Sequence, residues 1–305
     1  MQSIFVPDDH LTQSGGFPLV GGPDCIILSS MKSLVSTLIT AIALLVGQFG
    51  SASVKAAQPV DVALVLAVDV SRSMSAEELA IQRDGYAAAI SHPSVIRAVE
   101  QGLHGRIALT MFEWANDAHI REIVPWTLIE TPQDAEGVST IISEDQTIGQ
   151  RRTSISGAIR YASKLLLDVP FQADRLVIDI SGDGPNNQGI AVTRARDLAV
   201  EAGFVINGLP LMTTGGFGGQ FNIPDLDEYY RRCVIGGPGS FVIPVNDWAQ
   251  FPEAVRRKLV LEIGGRVPEE PARVYRAQIT FGQPYDCMVG EKMWRNLRER
   301  FFLDP

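Results

Sequence analysis

Asp69, Ser71 and Ser73 form an Asp-x-Ser-x-Ser sequence at the end of an apolar run, Val60 to Val70. The spacing puts one carboxylate and two hydroxyls into a tight turn, all of them hard oxygen donors. Alone, the pattern is equally a polar turn in which Ser71 or Ser73 caps the next helix. Two further segments bear on it. Ser181-Gly182-Asp183-Gly184 ends a second apolar run, Arg175 to Ile180, and Thr153-Ser154-Ile155-Ser156 opens a helix from a loop. If the two runs are neighbouring parallel strands, Asp183 reaches the same sheet edge as Asp69, and Thr153 adds a third hydroxyl at a helix N-terminus. Hard oxygen ligands with open positions suit Mg²⁺ or Mn²⁺ far better than zinc.

Those donors converge only if the right elements carry them. Val60 to Val70 is nearly all Val, Leu and Ala, as a central strand buried on both faces requires. Ser75-Ala76-Glu77-Glu78 is a capping box opening a helix toward Ile90. Arg106 to Trp114 and His119 to Ile129 read as a hairpin at a sheet edge. Helices follow from about Asp134, from Ser154 to Asp168 and from Ala191 to Ala202, with a strand from Phe204 to Leu211. Phe241 to Val245 reads as a further strand, and Asp247 to Ile263 as a closing helix. The alternation predicts an α/β domain over residues 58–265, doubly wound, with a mostly parallel sheet and helices on both faces. In such sheets, ligands bind beyond the carboxyl ends of the strands. Residues 266–305 form a tail with a linker at Pro268-Glu269-Glu270-Pro271, an apolar-alternating piece near Val274 to Phe281 and a helix from Glu291 to Phe302. Its Tyr285, Met288, Met293, Trp294, Phe301 and Phe302 are expected to pack back onto the domain.

With Asp69-x-Ser71-x-Ser73, Thr153 and Asp183-Gly184 in this order, the chain resembles the von Willebrand factor A (vWA) family, whose metal-ion-dependent adhesion site has these five positions. Phe112 matches the family's second-strand phenylalanine. Within the family, the chain is similar to secreted bacterial vWA proteins of unassigned function, grouped as domain of unknown function 1194. The resemblance implies that Ser71 and Ser73 bind Mg²⁺, or Mn²⁺ or Ca²⁺, directly. It implies that Asp69 and Asp183 act largely through water, and that Thr153 is a ligand whose engagement depends on the state of the site. It further implies a protein partner whose Asp or Glu carboxylate completes the coordination.

The rest of the chain sets the context. Its 305 residues, 46% hydrophobic and 20% charged, are ordinary for a globular protein. A net charge of -9 leaves no broad basic field for nucleic acid. Met31-Lys32-Ser33, the apolar run Leu34 to Val46 and the small residues after it read as a signal peptide over residues 31–56, cut after Ser53 or Ala56. The apolar run is shorter than the ~20 residues a spanning helix needs, so no membrane span is expected after cleavage, and the protein is expected to be periplasmic or secreted. Residues 1–30 lack periodicity and read as a non-native or disordered extension, the start being either Met1 or Met31. Cys233 and Cys287 remain in the mature chain, either as a disulfide or as two unpaired thiols. His92, His104 and His119 flank no Gly-x-Ser-x-Gly elbow, and no phosphate-binding Gly-rich loop is present. The chain is therefore expected not to be an enzyme; a metal-assisted phosphoesterase and a metal-silent scaffold are the alternatives. Arg72, Glu113 and Trp114 are candidates for partner contact, each also readable as structural. Thr213-Thr214-Gly215-Gly216-Phe217-Gly218-Gly219 is expected to be a loop on the metal face.

Overall fold

All seven side chains of the strand Ala63–Asp69 are buried, and the six apolar ones divide between two cores. Leu64, Leu66 and Val68 enter one hydrophobic cluster with Leu79, Tyr86, Val138 and Leu259, whereas Ala63, Val65 and Ala67 enter another with Ile155, Ala158, Ile159 and Ala162. This is the consequence of a two-residue side-chain period in a strand covered by helices on both sides. The computed structural model describes residues 57–213, 223–265 and 285–302.

In chain order the elements are β1 (Pro59–Val60), β2 (Ala63–Asp69), α1 (Ala76–Ile90), α2 (Pro93–Glu100), β3 (Ile107–Trp114), β4 (Ile120–Ile129), α3 (Pro132–Glu144), α4 (Ile155–Leu167), β5 (Gln172–Ala173) and β6 (Leu176–Gly182). They continue with α5 (Val192–Glu201), β7 (Val205–Pro210), α6 (Leu226–Tyr229) and its π-helical continuation Tyr230–Val234, a 3₁₀ turn at Trp248–Gln250, α7 (Phe251–Gly264) and α8 (Val289–Phe302). The main sheet has five strands in the order β4-β3-β2-β6-β7, parallel except for the β3/β4 hairpin, and β1 pairs with β5 apart from it. This is the doubly wound α/β fold, with β2 in the middle and Asp69 and Gly182 ending neighbouring parallel strands.

Local chemistry explains the elements next to the site. Ser75 and Glu78 form the expected capping box at the start of α1. Gly85 inside α1 forgoes roughly 1 kcal/mol of helix propensity, but a Cβ there would lie 2.6 Å from the Phe251 ring at the start of α7. Behind the sheet, Lys258 of α7 is fully buried, paired at 2.8 Å with Asp179 of β6 and also with Glu262. Burial pushes the Glu262 carboxyl up to about 7.

The structure differs from the sequence reading in places. Phe241 to Val245 is not a full strand: it makes isolated bridges, Val242 to Gly208 of β7 and Val245 to Leu211 just past it, because Pro244 has no N–H to donate. The helix read from Asp247 is split, its first turn being 3₁₀. Helix α2, with His92 as N-cap and Pro93 in its first turn, was not anticipated. The signal segment, the Gly-rich loop from Thr214 onward and the Val274 to Phe281 piece lie outside the described residues. Among the described residues, no helix is long and apolar enough to cross a membrane.

Candidate metal centre

At the carboxyl end of β2 the chain turns sharply, and the turn is held by the Ser71 N–H donating to Asp69 Oδ1 at 2.8 Å. That bond, which a carboxylate two residues back is well placed to accept, aims both serine hydroxyls off the sheet edge. The Ser71 and Ser73 Oγ atoms are 2.9 Å apart. Asp183, just past the end of β6, accepts from both through Oδ1, at 3.2 Å from Ser71 and 2.7 Å from Ser73. The three oxygens form a triangle. Adjacent ligands of an octahedral Mg²⁺ ion, each about 2.1 Å from the metal, lie about 3.0 Å from one another, so the triangle has the size of one octahedral face.

The electrostatics point the same way. Asp69 is fully buried and Asp183 is 8% exposed. Burial and the neighbouring Asp183 push the Asp69 carboxyl well above the usual carboxylate range. Burial pushes Asp183 up to about 6, against the hydroxyl donors that favour its ionised form. Asp69 Oδ2 has no hydrogen-bond partner among the described residues, and neither has the buried hydroxyl of Tyr230. Two adjacent buried acids, one with an unsatisfied oxygen and neither in an ion pair with a described residue, are unfavourable unless a positive charge enters between them. An all-oxygen donor set of this kind fits a hard divalent cation.

Thr153 arrives from a separate loop. Gln150 bridges to Ser71, with Arg72 N–H donating to Gln150 O at 2.6 Å and Gln150 N–H donating to Val70 O at 2.8 Å. Thr153 exchanges backbone contacts with the Asp183 side of the site: its N–H donates to Asn187 Oδ1 at 3.0 Å, and Asn187 N–H donates to Thr153 O at 2.9 Å. Arg152, just before it, adopts the left-handed conformation at φ 75°, which is uncommon for a residue with a side chain. Ser71, Ser73 and Thr153 line one cleft of about 1020 Å³. All five predicted positions therefore reach one edge of the sheet, four of them linked by hydrogen bonds and the fifth lining the same cleft.

Other candidates separate cleanly. Arg72 is exposed at the cleft and makes no ion pair with a described residue. Glu113 is buried, accepting from Arg121 at 2.7 Å and from Thr147 at 2.5 Å, and Trp114 is 1% exposed, so both are structural. Phe112 is buried edge-on to Tyr161. Tyr230, from the π-helical turn, had no motif to announce it.

A second group with metal-ligand chemistry is formed by Asp61, His104 and Asp174, whose ligand atoms lie within 4.8 Å of one another. Asp61 precedes β2 and Asp69 ends it, so at about 3.3 Å per residue the two centres are ~26 Å apart. Both Asp61 oxygens accept backbone N–H groups, from His104 at 2.9 Å and Arg106 at 3.2 Å, and its role in the turn is thereby explained. These residues come from three separate loops, so spacing alone could not have found them.

The described part of the C-terminal tail, residues 285–302, packs back onto the domain, although Met288 is exposed. Cys233 and Cys287 form a disulfide, and Tyr285, Cys287 and Val289 join the core beside α4 and α5. Glu291 accepts from Asn186 Nδ2 at 2.7 Å, and the Arg152 guanidinium stacks over the Trp294 ring at 4.0 Å. Helix α8 therefore braces the two loops that carry Thr153 and Asp183.

Among solved structures, the fold is similar to proximal thread matrix protein 1 from the mussel byssus with a zinc-occupied MIDAS motif (12% identity, TM-score 0.46, covering 68% of this chain and 48% of that one). It is also similar to a von Willebrand factor type A protein from Catenulispora acidiphila (14%, 0.46, 68% and 43%). A third is the pilus adhesin SpaC from Lactobacillus rhamnosus GG in its open conformation (11%, 0.46, 68% and 31%). The chain spans less than half the length of each. Comparison with curated proteins gives no match. The family described as "Protein of unknown function (DUF1194)" matches residues 59–267, and the chain belongs to that family.

Proposed function

We propose that this protein is an exported binding module in which Asp69, Ser71, Ser73, Thr153 and Asp183 hold one divalent cation, Mg²⁺ or else Mn²⁺ or Ca²⁺, and through it an Asp or Glu side chain of a protein partner. The observation that carries the reading is the oxygen triangle of Ser71, Ser73 and Asp183 backed by the buried, partly unsatisfied Asp69. A bound cation supplies fixed positive charge to an incoming carboxylate. The serines present hydroxyls toward it, while Asp69 fixes the turn through Ser71 N–H and holds its negative charge out of water. Thr153 sits on a loop outside β2 and β6, joined to the Asp183 side through Asn187.

Binding is favoured over turnover by the surroundings. The cleft is lined by no His, Lys, Asp or Glu among the described residues, and the Asp183 carboxylate behind it is engaged by the Ser71 and Ser73 hydroxyls. Export is supported by the Cys233–Cys287 disulfide, which belongs to an oxidising compartment such as the periplasm or the exterior.

The test is capture of a partner from periplasmic extract on the immobilised protein, in Mg²⁺ and again in chelator, beside an Asp69→Ala variant. A protein retained in Mg²⁺ and released both by chelation and by the substitution is the expected result. Retention that ignores both treatments would assign binding to another surface.

A further inference from the structure

The cleft above the metal centre has a composition that carboxylate capture alone does not need. Its lining contains three arginines, Arg72, Arg151 and Arg152, and no acidic residue, in a chain whose net charge is -9. Arg152 is occupied by its stacking on Trp294. Arg72 and Arg151 are exposed and make no ion pair with a described residue. The same cleft has apolar lining: Ile148 is 72% exposed, and the half-buried Trp294 and Leu297 of α8 line it too. Apolar groups that line a cleft with charged groups beside them offer a site for a partner's apolar side chain.

Helix α8 is held in this position at several points. The disulfide at Cys287 ties its approach to the π-helical turn. Gly290 lets the helix backbone close on the loop after Asp183, since a Cβ there would lie 2.1 Å from Asn186 O. Glu291 and Trp294 then engage Asn186 and Arg152. The helix is thus a fixed wall, one turn of which faces the metal edge.

We propose that α8 forms the second wall of the partner-binding groove, and that the partner segment is an acidic peptide with a large apolar residue next to its metal-binding carboxylate. This rests on the metal-site reading and deepens it. The first carboxylate goes to the cation, a second acidic group meets Arg72 or Arg151, and the apolar side chain enters between Ile148, Trp294 and Leu297. Arg72 and Arg151 select against basic segments, and the apolar groups Ile148, Trp294 and Leu297 select among acidic ones.

The experiment is selection of phage-displayed random heptapeptides on the oxidised full chain in Mg²⁺, with Mg²⁺ affinity of every variant measured alongside by calorimetry. Enriched peptides are expected to place Leu, Ile, Phe or Trp within about two residues of Asp or Glu. Binding of such a peptide should fall about tenfold or more in Ile148→Ser and in Leu297→Ser, and in an Arg72→Glu/Arg151→Glu variant, with Mg²⁺ affinity unchanged in the two serine variants. Ile148 is on a loop and already exposed, so its substitution does not threaten folding. If Mg²⁺ binds but the enriched peptides are acidic without an apolar residue, or are indifferent to both serine variants, or no peptide enriches, the groove proposal is wrong and the metal reading stands. If Mg²⁺ does not bind the unaltered protein, both fall.

Discussion

Asp69 is fully buried, keeps one oxygen without a described hydrogen-bond partner and faces a second buried acid. In a metal-free domain that arrangement is destabilising, so Asp69→Asn should leave the chelated protein at least as stable as the parent. The same change removes the charge that makes a cation welcome. With Mg²⁺ at about 100 times its dissociation constant, the parent should gain about 2.7 kcal/mol, a rise of roughly 5–10 °C in melting temperature for a domain of this size. Thermal melts with and without Mg²⁺ check both halves: a variant that still responds to Mg²⁺ would remove Asp69 from the site. The convergence of Ser71, Ser73 and Asp183 was legible because their oxygens sit at fixed offsets from strand ends. Tyr230 was not, since its hydroxyl reaches the acids through a π-helical turn for which the sequence carries no signature.

Elements are where the domain's other buried charges matter. Lys258 and Glu262 of α7 meet Asp179 of β6 with one cation for two acids, and Glu262 answers by holding its proton to about pH 7. The unfolded chain releases that proton near pH 4.5. As pH rises from there toward 7 the folded state therefore loses stability, a loss complete above 7 and absent below 4.5. Glu262→Gln should remove the Glu262 share of this slope and leave the share of the other buried acids, so that it gains up to about 3 kcal/mol over the parent at pH 8 relative to pH 5; a stability difference between variant and parent that is the same at the two pH values in denaturant titrations would contradict it. For α8, the disulfide closes a loop across a sequence separation of 54, so a Cys233→Ser/Cys287→Ser variant should lose about 2–4 kcal/mol. Hydrogen exchange should then show residues 289–300 losing protection before the sheet does. The strands and most helices were readable because a doubly covered sheet imposes long apolar runs. Helix α2 was hidden by its shortness, and the Phe241 to Val245 segment looked like a strand because composition outweighed the missing N–H of Pro244.

For the whole molecule, one face gathers the oxygen triangle, the arginine rim and the apolar wall of α8, while the sheet behind it supplies rigidity. Order along the chain showed that β2 and β6 would carry the two acids. The placement of α8 against the Asn186 and Arg152 loops depends on a disulfide and a close glycine contact that no periodicity reveals. An acidic chain with a locally basic cleft should also associate faster with an acidic partner at low salt. Raising ionic strength from about 0.05 to 0.5 M should slow association more than dissociation in surface-binding kinetics, and an unchanged association rate would remove the arginines from recognition.

The account stands most directly on the cation. Calorimetric titration of the purified protein with Mg²⁺ and with Mn²⁺, beside Asp69→Ala and Ser71→Ala, should give saturable one-site binding that disappears or weakens by at least about tenfold in both variants. Absence of binding by the unaltered protein at millimolar metal, or equal binding by all three proteins, would contradict it.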